Sequence, residues 1–430
     1  MLAGVVCLFA MLSLFIAVAT PAWEANDEPA HVQNVQTLVR GHSYRMEPGA
    51  SKEAVQAPLY YLGLAAWQRL AGVPARDPAP VSVNSGYYVQ RGLFRHDTPT
   101  DGADQRFVVL LRLPSVLLGV LTVLLTAVAA RRLSSDPWTP TVAAAVVAGV
   151  PKMAFLSAVI NNDNLSNALG SLLTLVVVIM VVQVGAAWRI QVWRAAALGG
   201  LCGALVLTKV STLPMALGAA VVVVVAAGGS WRRRFQLLVV ICGVGLVVCG
   251  WWLVQNQVRY GDPLATNPPK AYLEQARGRS LPASDISLEQ AFVTIPRGVY
   301  KSFWYTSGYN QYVWGTAAYR PLWLALVVAL AGLAVRRRSS SGPPVAAVIA
   351  LVTLAIGALS GIWMIGLKYQ SFQARLAFMG LPAIGCLAAL GLERLKLPPL
   401  LRFVGPALGL VGTVVAIHQH VIEPFHTGVG

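Results

Sequence analysis

Charged residues are scarce in this sequence. Of its 430 residues only 12% are charged and 56% are hydrophobic, and the mean hydropathy is +0.62. A soluble domain carries about a quarter of its residues as charged side chains, so a large soluble core is excluded. The apolar residues also occur in blocks of about 20, the length that a helix needs to cross a bilayer about 30 Å thick. The sequence therefore predicts a polytopic membrane protein.

Motifs for common cofactors and metals are missing as well. The sequence has no Walker loop, no dinucleotide fingerprint and no zinc motif, so a soluble nucleotide-linked substrate has no visible binding loop. Internal repeats and low-complexity tracts are absent. All five cysteines lie inside apolar blocks, without the spacing of a metal site or a disulfide framework, and are predicted to be small core residues. They are Cys7, Cys202, Cys242, Cys249 and Cys386.

Positive charge is unevenly distributed along the chain. The formal net charge of +16 would by itself suggest nucleic acid. The basic residues, however, cluster in short gaps between apolar blocks, and these gaps alternate with outward-facing segments that hold all but two (Asp136 and Glu393) of the 17 acids. This is the positive-inside pattern of membrane proteins, so no nucleic-acid partner is expected. The basic clusters are Arg131–Arg132, Arg189 with Arg194, Arg232–Arg234, Arg336–Arg338, and Arg394 with Lys396 and Arg402.

The apolar blocks are predicted to be eleven membrane spans, with the N-terminus in the cytoplasm and the C-terminus outside. An alternative for the first block is a signal peptide, because Ala17-Val18-Ala19 resembles a cleavage site, although no basic segment precedes it. The spans are 2–20, 108–130, 139–159, 166–187, 195–208, 212–228, 235–254, 321–335, 343–364, 375–392 and 398–417.

Two long segments, about 21–107 and 255–320, are then expected on the outer side. Residues 28–40 and 58–72 are amphipathic and are predicted to form short helices that lie on the membrane surface. No stretch is long and polar enough for a separate soluble domain, at the C-terminus included. We therefore expect one transmembrane domain over residues 1–430.

Acidic residues gather just after the first span. Glu24, Asp27, Glu28 and His31 lie within eight residues. Carboxylates favour helix N-termini, so capping of a helix is one interpretation. Capping needs only one acid, however, and next to lipid the pKa of a carboxyl group can rise into the range of a general base. The pattern therefore also indicates a catalytic base.

Four cations fall near the predicted outer ends of different spans: Arg112, Lys152, Lys209 and Arg375. Each could simply extend toward lipid headgroups, as Lys and Arg commonly do. Together they place positive charge at one membrane depth, as binding of a lipid-borne phosphate requires. Lys152 is the hardest to explain as a headgroup anchor, because it follows Pro151 within an apolar run.

Two further polar or aromatic groups have two interpretations each. Asn162 and Asp163, in the turn between the third and fourth spans, either cap the next helix or form a second wall of a binding site. The aromatic-rich outer segment 297–320 either is an interfacial belt or stacks on sugar rings. Its candidates for stacking are Trp304, Tyr305, Tyr309 and Trp314.

Five stretches together resemble one superfamily. They are NDEPAH after the first span, QAPLYYLGLA at 56–65, RLPSVLLGVLTV at 112–123, LTKVSTL at 207–213 and QARLAFMGLPAI at 373–384. Their order and predicted sidedness resemble the GT-C membrane glycosyltransferases, in the branch of the protein O-mannosyltransferases and the aminoarabinose lipid A transferase. NNDNLSNAL at 161–169 and NQVRYGDPLA at 256–265 match more loosely. The chain differs at Val210, where the family often has Gly, and at Leu376, where Tyr usually follows the Arg.

The resemblance implies an all-α GT-C-like fold in the cell membrane and transfer of a sugar from a polyprenyl-phosphate donor to an acceptor hydroxyl on the extracytoplasmic side. It assigns the base to Asp27, with Glu28 beside it. Donor phosphate would be held by basic residues near the outer face, best matched by Lys209 and Arg375, with Arg112 and Lys152 as further candidates. Residues expected to contact sugar or acceptor are Glu24, His31, Tyr60, Asn162, Asp163, Trp304 and Tyr305.

The implied reaction is a single inverting displacement that requires no organic cofactor. A divalent ion, if one binds, would be held by Asp27, Glu28 or Asp163. The acceptor belongs to glycans, lipids, proteins or secreted metabolites. Two other classes remain: a transporter or flippase of a lipid-linked or anionic substrate, and a non-catalytic membrane scaffold. Transporters usually show repeat symmetry and polar residues at the bilayer midplane, and neither is visible in the sequence.

Overall fold

The computed structural model describes residues 1–25, 27–42, 55–77, 101–268, 271, 289–306, 313–335, 344–369 and 372–426. These residues form helices joined by turns, and no β-strand occurs among them. Within this part of the chain, eight helices are long and apolar enough to cross a membrane, or nine if one bent pair forms a single span. The predicted all-α polytopic fold is confirmed.

The helices follow one another along the chain with mostly short connections. Five 3-10 turns precede or follow them, and the one over Ala374–Gly380 leads directly into a long helix. The helices are α1 (Leu2–Ala19), α2 (Glu28–Val39), α3 (Leu59–Leu70), α4 (Asp101–Arg131), α5 (Thr139–Ala148), α6 (Pro151–Ser157), α7 (Asp163–Val182), α8 (Trp188–Val206), α9 (Leu213–Ala226), α10 (Trp231–Tyr260), α11 (Ile295–Ser302), α12 (Arg320–Ala331), α13 (Val345–Tyr369), α14 (Leu381–Arg394), α15 (Val404–Ile417) and α16 (Glu423–His426).

Contacts between distant parts of the chain mark two ends of the bundle. At one end, which we call the arginine face, Arg402 Nη1 donates to Asp136 Oδ2 at 2.9 Å and Ser134 Oγ donates to Glu393 Oε2 at 2.6 Å. At the other end, which we call the loop face, the chain after α1 meets α4 and the chain just before α7. That the arginine face is cytoplasmic, as the positive-inside rule predicts, stays a prediction.

Each of the eleven predicted spans overlaps a helix, or a pair of helices in the case of the third span. Two of these helices, α8 and α9, are not among the helices that are long and apolar enough to cross a membrane. Helix α8 carries arginines at its start, and the apolar helix that ends at Ala226 is short. The third predicted span, 139–159, needs correction because it is two helices bent by 71°. Pro151 lacks the N–H that a continuous helix would use, and the chain is extended at Val150.

Helix α14 lies at the centre of the bundle. The span that contains it, Ala374–Arg394, is 94% buried over its most apolar window, whereas the window in α1 is only 22% buried. Small residues let neighbouring backbones approach closely: a Cβ added at Gly391 would lie 1.8 Å from the carbonyl oxygen of Ala329 on α12. This packing fixes the position of the 3-10 turn before α14 and hence of Arg375.

Helices α2 and α3 form a small packed unit on the loop face. The predictions of helices at 28–40 and 58–72 are confirmed. One apolar cluster joins Val35, Tyr61 and Leu64 of this unit to Leu111 of α4. Arg69 Nη2 donates to the carbonyls of Leu38 and Val39 at 2.8 and 2.9 Å, which satisfies the C-terminal end of α2. That both helices also lie on the membrane surface stays a prediction.

Candidate active site

Asp27 stands at a sharp turn just before α2. Its backbone is left-handed, with φ 64° and ψ 0°, a conformation that is uncommon outside glycine but several-fold enriched for Asp and Asn. The side chain is only 9% exposed, and its Oδ2 accepts from Arg375 Nη2 at 2.8 Å. The turn thus directs Asp27 toward a cation that lies 348 residues away in the chain.

Glu28 has a different environment from its neighbour. Its two carboxylate oxygens accept from Arg112 Nε at 2.9 Å and Nη2 at 2.7 Å, and Oε1 also accepts from the backbone N–H of Ile160 at 3.2 Å. Both side chains of this ion pair are 0% exposed. The pair therefore joins the start of α2, helix α4 and the chain just before α7.

All five N–H groups of the Arg112 guanidinium have acceptors. Two bonds go to Glu28, and three go to backbone carbonyls that follow or end α1, those of Ala17 at 2.8 Å, Thr20 at 2.7 Å and Pro21 at 3.2 Å. An arginine has five such donors. In this arrangement Arg112 has no donor left for a phosphate, and it closes the end of α1.

Four of the predicted residues form what we call the ion-pair cluster: Asp27, Asp163, Lys209 and Arg375. Lys209 Nζ donates to Asp163 Oδ1, and Arg375 Nη1 lies 3.7 Å from Asp163 Oδ2. Arg375 therefore contacts both carboxylates. Asp163 is 2% exposed, and the two cations are 11% and 12% exposed. The cluster is nearly closed to water, which strengthens each of its charge interactions.

The cluster is assembled from four helix ends on the loop face. Asp163 begins α7, and its backbone N–H donates to Asn161 Oδ1 at 2.9 Å. Lys209 follows α8 in extended conformation, with φ −162° and ψ 130°. Arg375 is the second residue of the 3-10 turn that leads into α14.

A polar bridge lies beside the cluster. Asn162 Nδ2 donates to Gln56 Oε1 at 2.7 Å and to the carbonyl of Thr208 at 3.3 Å. Among the residues that the structure describes, no partner is present for the buried Asn162 Oδ1. Sequence reasoning missed Gln56; the only signal was its place at the head of the QAPLYYLGLA stretch.

Lys152 is buried next to the cluster but points to a different partner. Its backbone N–H donates to the carbonyl of Trp304 at 2.8 Å, and its Nζ donates to the carbonyl of Thr306. The ammonium is nevertheless close enough to interact electrostatically with Arg375, Asp163 and Asp27. Lys152 thus anchors the segment that contains Trp304 and Thr306 beside the ion-pair cluster.

Three further predicted site residues, Tyr60, His31 and Glu24, are buried. Tyr60 Oη lies 3.4 Å from Ser115 Oγ, and burial raises the pKa of this phenol, so Tyr60 stays neutral. His31 Nδ1 is 2.7 Å from Tyr61 Oη, within the contact between α2 and α3. Glu24 is 4% exposed in the turn after α1.

The described aromatic side chains proposed to stack on sugar pack against other rings. Tyr305 is 0% exposed and stacks on Trp314 and His420, with ring centroids 4.9 and 5.2 Å apart. Trp304 is 7% exposed and meets Trp323 edge to face at 5.6 Å. That these rings contact a sugar stays a prediction. Tyr309 lies outside the described residues.

No group of three or more His, Cys, Asp or Glu side chains in the described ranges is arranged to hold a metal ion. Of the three residues proposed for a divalent ion, Asp27 and Asp163 share Arg375, whereas Glu28 pairs with Arg112. That a divalent ion can bind at Asp27, Glu28 or Asp163 stays a prediction.

Comparison with solved structures gives a match over the whole chain. ArnT from Cupriavidus metallidurans, bound to undecaprenyl phosphate, is similar over 99% of this chain and 66% of ArnT, with a TM-score of 0.56 and 18% sequence identity. The chain shares its fold with ArnT. The apo state of ArnT is similar over 100% of this chain and 66% of ArnT, with a TM-score of 0.56 and 16% identity. The predicted GT-C-like fold is therefore confirmed.

ArnT is longer than this chain, which covers 66% of the ArnT length. A second solved structure is the protein O-mannosyltransferase Pmt1-Pmt2 complex of Saccharomyces cerevisiae, bound to the sugar donor. The match covers 61% of the present chain and 34% of the matched mannosyltransferase chain, with a TM-score of 0.39 and 18% identity. No model of a protein family matches the sequence, and no curated protein matches it significantly.

Proposed function

We propose that this protein is a membrane glycosyltransferase that moves a sugar from a polyprenyl-phosphate donor to an acceptor hydroxyl at the loop face. The observation that carries the proposal is the ion-pair cluster, in which two cations and two carboxylates from four distant helix ends meet in a nearly closed site. The shared fold with ArnT supports the membrane setting and, because that structure holds undecaprenyl phosphate, the class of donor.

Lys209 and Arg375 are the residues we assign to the donor phosphate. A guanidinium offers paired N–H donors that match phosphate oxygens, and a lysine adds a point charge. In a site that excludes water, such cations stabilise the negative charge that develops on the leaving phosphate, which is worth several kcal/mol. Lys152 contributes long-range positive charge. We assign Arg112 to the structure of the site, because its donors are all used by Glu28 and the end of α1.

Asp27 is the residue we assign to the general base. Of the two adjacent carboxylates, Glu28 is fully enclosed in its pair with Arg112, whereas Asp27 faces the cations proposed for the phosphate. In the reaction, the acceptor oxygen bonds to the anomeric carbon as the bond from that carbon to the phosphate oxygen breaks. The electron pair stays on the phosphate, and the acceptor proton passes to Asp27. A single displacement of this kind inverts the anomeric centre.

The loop face is expected on the extracytoplasmic side of the cell membrane. The arginine face carries the basic clusters and is assigned to the cytoplasm by the positive-inside rule. The donor phosphate would then lie at the depth of the outer headgroups, and its polyprenyl chain would remain in the bilayer. No nucleotide-binding loop is required, because the sugar arrives on a lipid.

Transfer by the purified protein tests this proposal. Wild type, Asp27→Asn and Asp77→Asn are each given a radiolabelled polyprenyl-phosphate sugar and a cell-envelope extract. Asp77 is an exposed carboxylate paired with Arg40 on the same face, so it controls for the loss of one negative charge. We expect wild type and Asp77→Asn to form labelled glycoside and Asp27→Asn to be slower by roughly 100- to 10,000-fold, the usual contribution of general base catalysis.

Two results would contradict the proposal. Equal transfer by wild type and Asp27→Asn would remove Asp27 from catalysis. Label that crosses vesicle membranes without formation of a glycosidic bond would favour a transporter of lipid-linked sugar.

A further inference from the structure

The two cations assigned to the donor phosphate are already occupied. Arg375 donates to Asp27, the proposed base, at 2.8 Å, and its second terminal nitrogen lies 3.7 Å from Asp163. Lys209 donates to Asp163. The protein's own carboxylates therefore pair with the cations that the proposed reaction needs for a phosphate.

The charges in this site limit how a phosphate can enter. Two carboxylates and two cations sum to zero, and Lys152 is buried nearby. The four side chains of the cluster are between 2% and 12% exposed, so water screens them little. A phosphate placed beside two intact ion pairs would meet like charge in a poorly solvated site, which is unfavourable. Entry is favourable when one carboxylate leaves its cation.

We propose that the donor phosphate and Asp27 compete for Arg375, so that donor binding releases the base. This inference rests on the proposed function and adds to it an order of binding, donor before acceptor. A carboxylate held by a guanidinium is a weak proton acceptor, because the guanidinium stabilises its charged form. Once the phosphate takes Arg375, the Asp27 carboxylate faces an anion and becomes a stronger base. The site is thus basic only when a sugar donor is present.

The same exchange provides a route for product release. After transfer, Asp27 carries the acceptor proton and the polyprenyl phosphate keeps the electron pair of the broken bond. Loss of that proton to water restores the Asp27 carboxylate, which again competes for Arg375 and displaces the lipid phosphate. Asp163 stays on Lys209 throughout this cycle, and it keeps the second cation in place.

The inference is tested by the direction in which substitutions change the affinity for undecaprenyl phosphate, the leaving group of such a donor. Kd is measured for the full chain in detergent with radiolabelled lipid, for wild type, Asp27→Asn, Arg375→Gln, the double variant and Asp77→Asn. Asn tolerates the left-handed conformation of residue 27, so the turn is preserved, and thermal unfolding confirms it. We expect Asp27→Asn to bind about 3- to 30-fold more tightly than wild type, the scale of one charge-assisted contact.

The gain should depend on Arg375. We expect Arg375→Gln to bind more weakly than wild type, the double variant to bind no more tightly than Arg375→Gln, and Asp77→Asn to match wild type. Equal or weaker binding by Asp27→Asn would show that Asp27 positions Arg375 for the phosphate, and would overturn the inference while the proposed function stands. A gain that persists without Arg375 would overturn it as well. Absence of binding by wild type would overturn the proposed function and this inference with it.

Discussion

Replacement of Arg112 by Met distinguishes a structural arginine from a phosphate-binding one. The guanidinium makes five hydrogen bonds, two to Glu28 and three to carbonyls at the end of α1. Met fills a similar volume but donates nothing. Among the described residues, Glu28 would keep the N–H of Ile160 alone, at 3.2 Å, in a position that is 0% exposed. A buried charge that loses its partner costs about 3–5 kcal/mol.

The double variant Glu28→Gln with Arg112→Met supplies the matched comparison. Removing both charges leaves only neutral groups behind, so we expect a loss of about 1–2 kcal/mol, smaller than that of Arg112→Met alone. If the double variant loses less free energy of unfolding than Arg112→Met alone, the two side chains are strongly coupled. Thermal unfolding in detergent, followed by tryptophan fluorescence, measures both losses, and radiolabelled undecaprenyl phosphate measures binding by the folded fraction.

A structural role for Arg112 requires a specific combination of results. Arg112→Met should unfold several degrees below wild type, and the part that remains folded should bind undecaprenyl phosphate within about threefold of wild type, because no donor of Arg112 faces the site. The opposite combination, wild-type stability with binding weakened tenfold or more, would refute it. Arg112 would then be a ligand of the phosphate.

Two further predictions concern stability away from the site. A Cβ added at Gly199 on α8 would lie 2.4 Å from the carbonyl oxygen of Ile241 on α10, whereas nothing lies within 4 Å of a Cβ added at Gly200. We therefore expect Gly199→Ala to lower the free energy of unfolding by about 1–3 kcal/mol and Gly200→Ala to leave it unchanged, as measured by thermal unfolding. Burial raises the pKa of Asp136, but hydrogen bonds from Arg402 and two backbone N–H groups outweigh burial and hold it below its usual value. The resulting stability is present above the ordinary pKa of an aspartate and is lost as pH falls through the folded value, so Asp136→Asn should cost about 1–2 kcal/mol at pH 7 and progressively less in unfolding scans below about pH 4.

The helical membrane fold could be predicted from the sequence because hydrophobicity and basic clusters are properties of local composition. The break in the third span was not predicted. Pro151 lies in an apolar run whose hydropathy is continuous, and a proline within a membrane helix is often tolerated. The break at Pro151 is accompanied by a tertiary contact, the bond from the backbone N–H of Lys152 to the carbonyl of Trp304. A contact across about 150 residues leaves no periodic signal near either partner.

The members of the ion-pair cluster were all named from the sequence, since each lies at a span end on the same predicted side. Their pairing could not be derived in the same way. Asp27 and Glu28 are adjacent acids, and Arg112 and Arg375 are both arginines near the loop face, so composition allows either match. The match depends on the left-handed turn at residue 27 and on how α4 packs against α1, and both follow from the folded bundle.

The assignment of different roles to two adjacent carboxylates has a physical basis in that turn. A left-handed residue other than glycine costs about 1–3 kcal/mol and persists only where its surroundings impose it. Here the buried pair of Glu28 with Arg112 fixes the chain one residue further on, and the backbone N–H of His31 donates to the Asp27 carbonyl at 3.1 Å. The pair therefore holds Asp27 in a conformation that directs its carboxylate to Arg375. Glu28 need not touch a substrate to matter for transfer, because it sets where the proposed base stands.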